Sequence, residues 1–222
     1  MCNDEKLLSS FCNSNKKQNE KTIFNPCSPY AISKLYAFHL VQNYRQRGFY
    51  ACNGILFNHE SPRRGPSFIS QKIVQAAVRI KLNRQDFLSL GNLYAKRDWG
   101  HASDYVQAMW KILQNKKADD FVICTGKQYT IKQFINMVAK ELNLKITWKG
   151  KGLNEKAFDE KNNTIIECSK KYLRPAEVDT LKGNFSKAKK ILKWKPEHDL
   201  KSLIKDMISY ELNYYKWSKN QK

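Results

Sequence analysis

The sequence is poor in several signals that would place it quickly. No run approaches the roughly 18 apolar residues that span a bilayer. Met1-Cys2-Asn3-Asp4-Glu5-Lys6 has no apolar segment behind a basic start, so neither a membrane span nor a leader is expected and the chain reads as soluble and cytoplasmic. Six cysteines, at positions 2, 12, 27, 52, 124 and 168, form no CxxC pair and no compact framework. That excludes a disulfide scaffold and leaves free, mostly buried thiols. The four histidines, His39, His59, His101 and His198, have no HxxxH or Cys/His spacing, so no metal site is expected. Acidic residues number 20 against 40 basic ones, a formal charge of +20, yet arginine occupies only eight positions and the lysines are scattered. Base readout and phosphate forks favour clustered arginine. The excess therefore reads as a lysine-rich surface, compatible with an anionic small molecule, and a nucleic-acid partner is not expected. Glycine occurs nine times and nowhere as G-x-G-x-x-G, since Gly150-Lys151-Gly152 lacks the third glycine and opens no apolar helix.

What is present is core material. The chain has 222 residues, 41% hydrophobic and 12% aromatic, enough to fold without staples. Residues 1–27 form a polar lead-in with weak periodicity. Ser28-Pro29 then offers an N-cap followed by proline at the first helical position, and Ile32, Leu35, Tyr36, His39 and Leu40 recur at helical spacing as far as Gly48. The spacing predicts a helix over 29–47 with apolar residues on more than one face. The nearly continuous apolar run Phe49–Phe57 suits a parallel strand covered on both sides, and Asp120–Thr125, ended by Gly126, suits a second. Further helices are expected over about 68–82 and 103–115, with a short strand at Phe87–Leu90 between them. Thr130 with Gln133 forms a capping box for a helix to about Leu142. Ile146–Trp148 and Ile165–Ile166 read as short strands, and Leu200, Leu203, Ile204, Met207, Ile208 and Leu212 mark a last amphipathic helix. Strands alternating with helices make the class α/β.

The chemistry starts with Tyr30 and Lys34, four residues apart on one helix face. An ammonium beside a phenol favours the phenolate, so such a pair can supply a base nearer neutral pH, although a solvent-face pairing of the two is the commoner outcome on helices. Ser28-Pro29-Tyr30-Ala31-Ile32-Ser33-Lys34, followed by a buried strand that ends in a polar loop, resembles the YxxxK helix of the extended short-chain dehydrogenase/reductases. The likeness sharpens in Ala51-Cys52-Asn53-Gly54-Ile55-Leu56-Phe57-Asn58-His59-Glu60-Ser61-Pro62-Arg63-Arg64-Gly65, in Gly91-Asn92-Leu93 with Ala95-Lys96-Arg97-Asp98-Trp99-Gly100-His101, in Arg174-Pro175-Ala176-Glu177-Val178-Asp179, and in Leu192-Lys193-Trp194-Lys195-Pro196. These blocks, in this order, resemble the GDP-mannose 4,6-dehydratase family. The resemblance implies a Rossmann-like parallel sheet with a small C-terminal substrate-binding α/β part. Over this chain that means a Rossmann-like portion at 28–126 with interleaved substrate loops, and a mainly substrate-binding portion at 127–222. It further implies NADP as cofactor and GDP-mannose as substrate, converted to the 4-dehydro-6-deoxy sugar nucleotide. Tyr30 would help remove the 4-hydroxyl proton and Lys34 would hold the nicotinamide ribose. His59 and Arg64 would contact the cofactor, while Asn58, Lys72, Arg97, Arg174 and Glu177 would face the GDP-sugar. Trp99 reads as packing and His101 as a residue that fixes a loop.

The chain also departs from that family. The glycine-rich turn that cradles a dinucleotide is absent, and where the family carries a Ser/Thr-Glu motif this chain reads Glu5-Lys6-Leu7-Leu8-Ser9-Ser10-Phe11, with Leu8 near the position of the glutamate. Loss of a general base forfeits about 10²–10⁴ in rate, and loss of the cofactor cradle forfeits the hydride step. The expectation is thus a shortened dehydratase inactive on its own. The alternatives are half of an enzyme completed by a separately encoded N-terminal half, or a non-catalytic protein that binds a GDP-sugar or modulates an oligomer. Self-association through the YxxxK helix is also expected from the resemblance.

Overall fold

In the computed structural model, which describes residues 17–26, 28–173 and 180–219, the chain divides into two compact units that alternate along the sequence. The first takes the residues up to His59, Lys96–Tyr129 and Ala176–Asp199, and the second takes Glu60–Ala95, Thr130–Pro175 and the residues from Leu200. The elements in order are α1 (Pro29–Gln46), β1 (Gly54–Leu56), β2 (Asn58–Glu60), α2 (Ile69–Lys81), β3 (Leu88–Leu90), β4 (Lys96–Arg97), β5 (Trp99–His101) and α3 (Ala102–Leu113). Then come β6 (Phe121–Ile123), β7 (Tyr129–Thr130), α4 (Ile131–Glu141), β8 (Thr147–Lys149), β9 (Lys156–Phe158), β10 (Thr164–Cys168), α5 (Ser186–Ile191) and α6 (Leu200–Lys219). The class is mixed α/β with parallel pairings, as the alternation predicts.

The first unit is built on β1 and β6, paired in parallel with Ile55 opposite Val122. Phe121 N donates to Asn53 O and Phe57 N to Ile123 O, both at 2.9 Å. Both faces of this ladder are covered, which is why its residues read as an unbroken apolar run. Leu56, Phe121 and Ile123 pack with Tyr105, Ala108 and Ile112 of α3 and with Trp194. Ile55, Phe57, Val122 and Cys124 pack on the other side with Phe38 of α1 and Leu181.

One expectation needs correction here. The strand does not begin at Phe49. Gly48, at φ 90°, turns the chain out of α1, and Phe49 and Tyr50 stay exposed. Tyr50 has a better use for its hydroxyl than a sheet position offers: it donates to Ile112 O at 3.0 Å and lies 2.5 Å from Asn115 O, tying down the end of α3. In α1, capped by Ser28 Oγ accepting from Ala31 N at 3.1 Å, the buried residues are Ala31 and Phe38, while Ile32, Tyr36, Leu40 and Tyr44 form an exposed stripe.

Asp120 anchors the amino-terminal end of the ladder. Its carboxylate pairs with Arg45 and accepts from Gln42 Nε2 at 3.1 Å, Asn53 N at 3.2 Å and Asn53 Nδ2 at 2.9 Å. Burial opposes ionisation, but the hydrogen bonds from Arg45, Gln42 and Asn53 outweigh it and hold this carboxyl below its usual range. Part of the polar lead-in is fastened to the same unit. Gln18 is 2% exposed, its N donates to Lys182 O at 2.8 Å and its side chain accepts from Lys182 N at 2.9 Å, while Glu20 accepts from Val122 N at 2.9 Å.

In the second unit, helices α2, α4 and α6 pack on one another beside a four-stranded sheet of order β3-β10-β9-β8, with β3 and β10 parallel and the other pairs antiparallel. The capping box forms: Gln133 N donates to Thr130 Oγ1 at 3.0 Å and Thr130 N to Gln133 Oε1 at 2.7 Å. The stripe Leu200, Leu203, Ile204, Met207 and Ile208 on α6 is buried, in the register its spacing predicts. No helix among the described residues is long and apolar enough to cross a membrane. Thr130→Ala removes the Oγ1 half of the box, leaves the backbone N–H that donates to Gln133, and is expected to lower the stability of this unit by about 1 kcal/mol. The check is a urea melt with an unchanged m-value.

Candidate functional site

The candidate residues of the first unit lie on α1, on the segment that leaves β1 and on β4. Tyr30 and Lys34 share a face of α1, with Lys34 Nζ 5.1 Å from the centre of the Tyr30 ring. Asn58 opens β2 directly beyond the carboxyl end of β1 and is 1% exposed. His59 follows; its Nδ1 lies 2.9 Å from Phe57 O, so that nitrogen carries the hydrogen, and its ring stacks on Tyr105 at 5.0 Å. In an open α/β sheet the crevice beyond the strands' carboxyl ends is where ligands bind. Arg97 ends β4, with Nη1 donating to Lys96 O at 3.0 Å.

Two buried carboxylates shape this region, and neither carries a role in the sequence reading. Asp98 accepts from Thr125 N at 2.8 Å, Thr125 Oγ1 at 2.5 Å, Gly126 N at 2.8 Å and Gly183 N at 3.3 Å. Burial pushes its pKa up to about 6, against the downward pull of these donors. Asp104 accepts from Glu197 N at 3.1 Å, from His198 N at 3.0 Å and from His198 Nδ1 at 2.8 Å, and the His198 ring stacks on His101 at 4.3 Å. His101 caps α3, accepting from Ser103 N at 3.2 Å. Trp99 is 1% exposed, and Gly100 is required beside it, because a Cβ there would lie 2.4 Å from the Tyr105 ring.

The second unit holds Arg64 and Lys72 by different partners. Arg64 Nε lies 3.0 Å from Glu60 Oε2, and the guanidinium stacks at 3.6 Å on Phe68. Glu60, 1% exposed, also accepts from Ser70 Oγ at 2.6 Å, so the loop that follows β2 is closed onto the start of α2. Lys72 Nζ donates to Ser89 O at 3.1 Å and lies 4.0 Å from the Tyr172 ring centre. Gly91 lets the Tyr172 carbonyl approach, since a Cβ there would stand 2.3 Å from it. Arg174 and Glu177 lie outside the described residues. Glu60 and Asp98 stood inside recognisable sequence blocks, but a buried carboxylate has no periodic signature, so only the fold reveals what each one holds.

This geometry has known counterparts. A protein described as RMD from Pseudomonas aeruginosa, complexed with NADPH, superposes with a TM-score of 0.79 at 21% identity, over 96% of this chain and 64% of that one. A dTDP-glucose 4,6-dehydratase from Bacillus anthracis, complexed with NAD, gives 0.76 at 19% identity over 99% and 63%. The fold is therefore that of the Rossmann-type sugar-nucleotide epimerases and dehydratases. Within that class, residues 12–207 match the GDP-mannose 4,6 dehydratase family model, and the chain belongs to this family. It is 47% identical over 201 residues to the GDP-mannose 4,6 dehydratase of Dictyostelium discoideum, 90% of this chain and 56% of that protein. It is 46% identical to GDP-mannose 4,6 dehydratase 2 of Caenorhabditis elegans, over 88% of this chain and 51% of that protein. The chain thus spans about half the length of the relatives it matches.

Glu60→Gln keeps the Ser70 hydrogen bond but strips the counter-charge from Arg64. It is expected to cost about 1–3 kcal/mol in a urea melt. Adding Arg64→Ala should cost less than the sum of the two single changes.

Proposed function

We propose that the chain is the sugar-nucleotide-handling part of a GDP-mannose 4,6-dehydratase and that its ligand is GDP-mannose. The observation that carries this reading is the placement of Tyr30 and Lys34 on one face of α1, in the unit where Asn58 and His59 leave the carboxyl end of the parallel ladder. In this reading Tyr30 takes the proton of the sugar 4-hydroxyl. Lys34, held over its ring, favours the phenolate electrostatically. Arg97, together with Arg174, supplies planar forks suited to a diphosphate, Lys72 adds a point charge, and Glu177 accepts from the base or the sugar.

The cofactor of this reading is NADP, which when bound accepts hydride from the sugar. The residues present fit its nicotinamide end: Tyr30 and Lys34 for the ribose and ring, with His59 and Arg64 beside them in role. The pyrophosphate end has no fitting turn in this sequence, because G-x-G-x-x-G does not occur. These residues by themselves are therefore expected to bind the sugar nucleotide without turning it over, since turnover also requires a dinucleotide-binding cradle. The exposed stripe of α1, Ile32, Tyr36, Leu40 and Tyr44, supports self-association through that helix.

Titration calorimetry of the chain with GDP-mannose should show micromolar binding, weakened at least tenfold by Arg97→Ala through loss of a charged hydrogen-bonding fork. Heat no greater than dilution would overturn the ligand assignment. Sedimentation of the same sample should show a dimer that Tyr36→Glu dissociates, and a monomer at all concentrations would remove the self-association.

A further inference from the structure

Asp98 has no task in the proposed chemistry, yet it is fully buried next to Arg97, and three chain segments converge on it. One is its own: Lys96 bridges Thr180, and Leu181 N donates to Lys96 O at 3.3 Å. The second leaves β6 and offers Thr125 N, Thr125 Oγ1 and Gly126 N. The third runs through 180–183 and offers Gly183 N, while Gln128 Nε2 donates to Thr180 Oγ1 at 2.7 Å and joins the second segment to the third. Two glycines permit the convergence. Gly126 adopts φ +73°, and a Cβ on Gly183 would stand 2.3 Å from Cys124 Sγ.

We propose that Asp98 is a positioning residue for Arg97: its carboxylate latches β4, the exit of β6 and the 180–183 segment together, and so sets where the Arg97 guanidinium is presented to an anionic ligand. The ligand side of this proposal rests on the reading of Arg97 as a diphosphate contact. The latch needs a carboxylate specifically. Four donors are shared between its two oxygens, whereas the isosteric amide has only one oxygen and turns a donor toward either the Thr125 or the glycine side. Stability alone does not account for the choice. The ionised group is buried without a countercharge among the causes of its shift, which are burial and the Thr125, Gly126 and Gly183 donors. The titratable and charged groups of the elements packed here are the Cys124 thiol just past β6, Glu20 and Lys17 of the lead-in acting on that thiol, and Lys96, Arg97, Lys127 and Lys182 on the converging segments.

The direction of the proton linkage follows. The folded carboxyl titrates near 6, above its value in water of 3.8, so the closed latch binds more protons than an opened one between those limits. Acidification from pH 7.5 to 5 therefore favours closure, by about tenfold.

The first test is hydrogen exchange, corrected for intrinsic rate, on segments 96–98, 124–128 and 181–184. Protection should rise about tenfold between pH 7.5 and 5, with its onset near pH 6, and should be independent of pH in Asp98→Asn. Thr125→Val, which removes a donor that favours the ionised form, should move the onset to higher pH, and it serves alone if Asp98→Asn does not fold. The second test is titration with GDP at pH 7.5. Asp98→Asn should weaken binding about tenfold, and added to Arg97→Ala it should cost little more. Wild-type affinity in a folded Asp98→Asn overturns the positioning role, as does flat protection in the wild type. If the wild type does not bind GDP at all, the substrate reading falls, and the exchange profile decides the latch: a tenfold rise abolished by Asp98→Asn upholds it, and an unchanged profile removes it.

Discussion

Two parallel strands cannot be closed by a hairpin, and in this chain everything from β2 through α3 intervenes before β6 can lie against β1. The ladder must therefore be held at its ends, and a carboxylate does so at each. At the amino end Asp120 meets Arg45, Gln42 and Asn53, with a countercharge that keeps it ionised. Beyond the carboxyl end Asp98 collects N–H and O–H donors only, and burial pushes it up to about 6. Hydrogen bonds to a charged group are worth about 1.5–3 kcal/mol each, so both ends can be tied firmly, but only Asp120 is also a favourable place for a charge. The contrast fits a sheet whose amino end is structural and whose carboxyl end carries the candidate chemistry.

Elements with strong local signals were legible in the sequence. The Ser28-Pro29 start of α1, the Thr130/Gln133 box and the α6 stripe each encode their structure within one or two turns. The short apolar segments of β1 and β6 declared themselves buried because both faces are in fact covered. Strands β2, β4, β5, β7 and β9, of two or three residues, and the six-residue α5 are too short for any period to register. Phe49 and Tyr50 misled because apolar content does not distinguish a strand from a loop whose tyrosine hydroxyl is needed elsewhere. Of the candidate site, Tyr30 with Lys34 was readable from spacing, whereas Arg64 with Glu60 and Lys72 with Tyr172 depend on contacts made only after folding.

The second unit treats its cations in a consistent way. Arg64 lies on Phe68, Lys72 on Tyr172 and Lys132, ion-paired to Glu155, on Trp148. A long flexible side chain loses up to about 2 kcal/mol of rotamer freedom when a ligand immobilises it. Where a ring and a polar partner already fix the side chain, that loss is taken during folding, and an incoming anion meets an ordered cation. A lysine-rich protein has many positive groups to offer, but few of them are ordered in this manner.

Cys124 is fully buried at the exit of β6, against Gly183, and burial followed by the nearby Asp98 charge pushes its thiol well above the usual range. Cys52 and Cys168 are only partly buried. Thiol reagents attack the thiolate, so Cys124 is chemically silent for as long as the sheet end stays shut. Its labelling rate under native conditions is consequently an internal clock for the opening of that one region, kept by the protein's own sulfur and readable by mass once a thiol reagent is added.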